Sequence, residues 1–207
     1  MNDNTQEADE RHTQDERHQR GQGRQLARHW HLQVQAPAGA TSFQRLLEAR
    51  TTWRQDGATV VWTNGCFDIL HPGHIRFLTQ ARALGDLLVV GINDDVSVRR
   101  LKGASRPFVP LIGRITMLTG LRAVDHVVVL SGDTPTREVE ALRPDVCCKD
   151  CEYAVLPLPE REVVEGYGGR MVLLPRDTAW STTSLAGQVT AQLAGQLAAR
   201  TGRGAGQ

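Results

Sequence analysis

The residues best equipped for chemistry in this chain lie in one short run, Thr63-Asn64-Gly65-Cys66-Phe67-Asp68-Ile69-Leu70-His71-Pro72-Gly73-His74. The run follows the apolar, β-branched stretch Thr59-Val60-Val61-Trp62 and precedes a helical pattern. It therefore occupies the junction where a parallel strand hands over to a helix N-terminus. Free backbone N–H groups and the positive end of the helix dipole make that junction an anion site. His71 and His74 place two imidazoles beside it, and Pro72 suits the first turn of a helix. Gly73 lets the backbone approach a ligand closely. Imidazole N–H groups so placed stabilise negative charge developing on a phosphorus centre. The chemistry to which this pattern points is nucleotidyl transfer, with His71 and His74 on the triphosphate.

The elements that must hold these residues follow from periodicity. A helical pattern begins at Thr41, with Phe43, Leu46, Leu47 and Ala49 on one face, and ends near Asp56-Gly57. Five apolar runs read as buried parallel strands: 58–63, 87–92, 126–130, 145–149 and 171–174. Helical patterns separate them near 73–84, 111–121 and 135–142, and a last one covers 183–199. Alternation of this kind predicts an α/β, Rossmann-like, doubly wound sheet of about five parallel strands with helices on both faces. Ligands bind such sheets outside the carboxyl ends of the strands, where His71 and His74 fall. Residues 1–40 read as a disordered polar tail and linker, 41–200 as the domain, and 201–207 as a frayed end.

Composition excludes several classes. Formal net charge is +1, so nothing general argues for nucleic acid or polyanion binding. No apolar run spans a bilayer and no hydrophobic leader precedes the fold, which implies a cytoplasmic protein. Of four cysteines, Cys147, Cys148 and Cys151 cluster at a strand end. That cluster reads as small buried thiols, with a half metal site beside His126 as the minor reading, and no metal ligands are assigned.

The motif Gly65-Cys66-Phe67-Asp68 with His71, Gly73 and His74 resembles the signature of the cytidylyltransferase-like nucleotidyltransferases. Three further blocks extend the likeness: Arg100-Leu101-Lys102-Gly103 with Ser105-Arg106-Pro107, Ala123-Val124-Asp125 with Asp133-Thr134-Pro135, and Ser181-Thr182-Thr183. Within that superfamily the chain is most similar to the adenylyltransferase domain of the ADP-heptose synthases. The resemblance implies transfer of AMP from ATP to D-glycero-β-D-manno-heptose 1-phosphate. Mg²⁺ would arrive mainly on the nucleotide triphosphate. It also implies a homodimer, and a separate sugar kinase supplying the sugar phosphate. The alternatives are a cytidylyltransferase acting on glycerol 3-phosphate or a related alcohol phosphate, and a catalytically silent nucleotide-binding regulatory protein.

Carried over residue by residue, the likeness puts Gly65, Cys66, Phe67, Asp68 and Gly73 against the nucleotide phosphates. Asp68 reads equally well as a brace bonding to loop N–H groups. Lys102, in a basic turn, becomes a clamp that offsets repulsion between two anionic substrates. Ser181, Thr182 and Thr183 are assigned to the β- and γ-phosphates, with one hydroxyl free to cap the last helix. Asn93, Arg114 and Lys149 are expected to contact substrate, although a helix-surface ion pair accounts for Arg114 nearly as well. Asp94 reads also as the cap of the next helix, and Asp133-Thr134-Pro135 as a helix cap. The family's Lys-Gly-Gly-Asp-Tyr is replaced by Lys149-Asp150-Cys151-Glu152-Tyr153, and its glycine before Ser-Thr-Thr by Ala179-Trp180.

Overall fold

The computed structural model describes residues 40–202 apart from 131, 155–157 and 176–179. The expected tail, except Ala40, lies outside the described residues, as do Ala179 and residues 203–207 of the expected frayed end. Five strands form one sheet: β1 (Val60–Gly65), β2 (Leu87–Asn93), β3 (His126–Leu130), β4 (Val146–Asp150) and β5 (Arg170–Leu174). Their order is β3-β2-β1-β4-β5, and every pairing is parallel. The chain winds outward from β1 to β3, then returns beside β1 and winds the other way. The crevice of a doubly wound sheet therefore opens between β1 and β4.

The connecting helices are α1 (Phe43–Gln55), α2 (Pro72–Arg82), α3 (Asp95–Lys102), α4 (Leu111–Thr119), α5 (Thr136–Leu142), α6 (Pro159–Gly166) and α7 (Thr182–Gly202). Strand alternation divides the core into two layers. Val61, Leu88, Val90, Ile92 and Cys148 pack with Leu78 of α2 and with Ile115 and Leu118 of α4. Val60, Trp62, Leu87, Val89 and Cys147 face the opposite way, onto Leu46 and Trp53 of α1, Leu142 of α5 and Val164 of α6. Both faces are covered, which explains continuous apolar strands rather than alternating ones. Cys147 and Cys148 are thus buried thiols on opposite faces. Among the described residues no helix is long and apolar enough to cross a membrane.

Two helices depart from the sequence expectation. The basic turn around Lys102 is the last turn of α3, capped by Asp94, whose Oδ1 accepts from Ser97 N at 2.6 Å. Eight residues with few apolar positions carry too weak a period to show as a helix. Helix α6 is hidden in the sequence because Pro157 and Pro159 cluster at its start, yet Pro159 occupies its first turn, where no N–H is needed.

Candidate active site

Past the Val61–Val146 and Trp62–Cys147 pairs, β1 and β4 are bridged by side chains. Thr63 Oγ1 donates to Cys148 O at 3.0 Å and Lys149 Nζ to Asn64 Oδ1 at 2.7 Å. A cleft of about 580 Å³ opens at these strand ends. Gly65, Cys66, Phe67, Asp68, Gly73 and both histidines line one part of it. Phe67 takes a left-handed φ of 46°, a conformation that costs a bulky residue on the order of 1 kcal/mol. Burial of its ring, 5.5 Å from the His74 ring, holds it there.

Asp68 is buried, 6% exposed. Oδ1 accepts from Phe108 N at 2.7 Å and Val109 N at 2.9 Å, and Oδ2 accepts from Arg106 Nη1 at 2.8 Å. These bonds are those that the bracing reading of Asp68 expects. The charge is met by Arg106, and the loop after β1 is tied to the segment leading into α4.

His71 is the N-cap of α2, its Nδ1 accepting from His74 N at 3.4 Å. An accepting Nδ1 leaves the proton on Nε2, which makes Nε2 the donor. The two rings stack with centroids 3.8 Å apart. A Cβ on Gly73 would meet the His71 ring at 3.1 Å and Trp180 Cβ at 3.6 Å, so glycine permits this convergence. Helix α7 begins alongside: Ser181 Oγ accepts from Ser184 N at 3.0 Å, and Thr182 Oγ1 donates to Ile69 O at 3.4 Å. Ser181 thus supplies the expected cap, and Ser181, Thr182 and Thr183 line the cleft. Two helix N-termini and two imidazoles meet there, an arrangement suited to a polyanion.

Lys102 is exposed on the opposite rim, at the C-terminal end of α3 where the dipole favours a cation. Arg114 corrects the sequence expectation of a substrate contact. Its side chain is fully buried and absent from the cleft wall. It donates to Cys66 O at 2.6 Å, Asn93 O at 2.8 Å and Val109 O at 3.0 Å, and pairs with Asp95 at 2.7 Å. Arg114 knots three loops together from beneath. Asn93 lines the cleft, but its Nδ2 donates to Ser97 Oγ at 3.1 Å and Gly132 O at 3.5 Å. Asp133 caps no helix: it accepts from Ser97 Oγ at 2.7 Å and pairs with Arg100 at 2.6 Å. That Arg100 contact, then Ser97, holds its carboxyl below the usual range.

Asn64 and Glu160, which the sequence does not mark as site residues, line the cleft, as do Tyr153 and Trp180 from the two segments that depart from the family pattern. Asn64 lies in the motif run and could have been found there. Nothing in the local sequence marks Glu160, because its partner Lys149 sits on another element. Burial pushes the Cys66 thiol up, while Lys102, Arg114 and Arg106 pull it down. Burial likewise raises Tyr153, with Cys66, Glu160 and Asp150 adding to the effect. Among the described residues no three of His, Cys, Asp and Glu gather as metal ligands.

A doubly wound sheet that gathers two helix N-termini and two imidazoles around one cleft is suited to a protein that binds nucleotide phosphates. Comparison with known proteins narrows it. The cytidylyltransferase-like family model matches residues 62–172, more than half of the chain, and the chain belongs to that family. It is 47% identical over 147 residues to the bifunctional protein HldE of Pseudomonas paraeruginosa, covering 71% of this chain and 31% of that protein. The HldE of Syntrophotalea carbinolica is 47% identical over 132 residues, with coverage of 64% and 27%. The chain thus spans less than a third of the length of these relatives. The crystal structure of the lipopolysaccharide core biosynthesis protein from Thermoplasma volcanium matches with a TM-score of 0.50 at 24% identity. That match covers 58% of this chain and 98% of the other, and it shows the fold.

Proposed function

We propose that the protein transfers AMP from ATP to a heptose 1-phosphate, giving ADP-heptose and pyrophosphate. The observation that carries this reading is the stacked His71–His74 pair between the N-termini of α2 and α7. Kinship with proteins named HldE, and the likeness of the four motif blocks to ADP-heptose synthases, support the choice of substrate. An oxygen of the sugar phosphate attacks the α-phosphorus in line, and the bond from that phosphorus to the bridging oxygen of pyrophosphate breaks. No base is required, because the nucleophile is already ionised at neutral pH. The His71 and His74 N–H groups stabilise charge on the α-phosphoryl group and the departing pyrophosphate. Lys102 offsets repulsion between the two anions, and Asp68 and Arg114 hold the loops that carry the donors.

Mg²⁺ enters as part of the substrate, on the triphosphate. The residues fit that arrangement: Asp68 already accepts from Arg106 and two amides.

The test is pyrophosphate release with Mg²⁺, pairing ATP, CTP, GTP and UTP with heptose 1-phosphate and glycerol 3-phosphate. Release with ATP plus the heptose phosphate is expected. His71→Ala should lower turnover roughly 10²-fold, with only a small fall in melting temperature from the lost helix cap. Release only with CTP and the alcohol phosphate would transfer the protein to cytidylyl chemistry. No release from any pair would leave a nucleotide-binding protein without this activity.

A further inference from the structure

One buried charged cluster in the cleft is unused by the reaction described above. Lys149 of β4 and Glu160 of α6 have side chains 7% and 3% exposed, with Nζ and Oε1 2.8 Å apart. The ammonium also donates to Asn64 Oδ1 at 2.7 Å and lies 5.4 Å from the centre of the Tyr153 ring. Burying a lone ammonium is costly, and Glu160 supplies the opposite charge that makes the burial tolerable. A lysine neutralised in this way has little net charge left for a phosphate. Its second bond has a different consequence. An ammonium only donates, so the Asn64 amide must turn its oxygen to Lys149. Its NH₂ group then keeps two donors for a ligand.

We infer that Glu160, Lys149 and Asn64 form a positioning relay. Glu160 cancels the charge of Lys149, Lys149 orients the amide, and Asn64 donates to an uncharged acceptor on a bound substrate. That acceptor is a hydroxyl, carbonyl or ring nitrogen, from the nucleoside or the sugar. Lys149 therefore acts through Asn64, while phosphate is left to Lys102 and the histidines. The inference rests on the cleft being the nucleotide and sugar phosphate site, but its test needs binding alone.

The experiment is titration calorimetry in Mg²⁺ buffer with ATP, mannose 1-phosphate and inorganic tripolyphosphate, which has phosphate charge without nucleoside or sugar. Asn64→Ala should weaken ATP or the sugar phosphate, whichever carries the acceptor, by roughly tenfold, with tripolyphosphate unchanged. Glu160→Gln should do the same to that substrate, yet tighten tripolyphosphate by roughly fivefold as the Lys149 charge is released. A purely structural Glu160 would not produce this opposite sign. The double variant Lys149→Met with Glu160→Met removes both charges together and avoids an orphaned buried ion. It should match Asn64→Ala. Equal weakening of tripolyphosphate and ATP in Asn64→Ala or the double variant would overturn the relay, as would no change in any ligand. A wild-type protein that binds neither ATP nor tripolyphosphate would overturn the transfer reading, and the relay with it.

Discussion

A carboxylate beside a phosphate site should repel the ligand, yet Asp68 sits in the motif loop. Its neighbours resolve the conflict: Arg106 and two backbone amides consume the charge. What a motif residue does is set by the groups it meets, and the same holds for Cys66. Burial raises its thiol above the ordinary cysteine value, and nearby cations only partly offset the rise. A raised value means less thiolate near neutral pH, so alkylation should be slow there and accelerate as pH climbs. Iodoacetamide labelling read by peptide mass spectrometry should modify exposed Cys151 first and Cys66 later, with the lag shrinking in alkaline buffer. Equal rates at neutral pH would show that the cleft floor is open to solvent.

At the level of elements, the site depends on how closely strands and helix starts approach. Gly91 in β2 is the tightest case on the sheet. A Cβ there would lie 2.7 Å from Trp62 Cζ2 and 2.9 Å from Leu130 Cδ2. Trp62 is 1% exposed and has no room to retreat. Gly91→Val should therefore destabilise by about 1–3 kcal/mol. For a domain of this size each kcal/mol lowers the melting temperature by roughly 2–4 °C. Differential scanning calorimetry checks this, and an unchanged transition would mean that the core is looser than its packing implies. Helix α3 depends on its own tether, Asp133 to Arg100 and Ser97. Because the folded carboxyl is held low, the tether's contribution to stability is complete above the ordinary carboxylate range and is lost as pH falls below that range, through the lowered folded value.

On the scale of the molecule, the described cleft draws its lining from residues between Thr63 and Thr183, at the C-terminal ends of β1, β2 and β4 and the starts of α2, α6 and α7. A chain beginning at Ala40 retains every described lining residue and should keep pyrophosphate release within about twofold of the full chain. A loss of tenfold or more would bring residues 1–39 into the function. Salt-sensitive nucleic-acid binding that vanishes on the same deletion would assign them a separate role.

The sequence by itself determined the doubly wound sheet, because five apolar runs separated by helical patterns admit few other arrangements. It also placed the motif run at the cleft, because Pro72, Gly73 and two histidines after a buried strand are local features read by adjacency. Strand boundaries moved by a residue or two, and α3 and α6 were too short or too proline-rich at the start to register. The tertiary structure alone decided which charged side chains face the cleft and which brace it. Arg114 went beneath the loops, Asp68 to Arg106, Asp133 to Arg100 and Lys149 to Glu160. Each of these partners comes from a different element, and Coulomb and hydrogen-bond terms act over a few ångströms of space, whatever the separation along the chain.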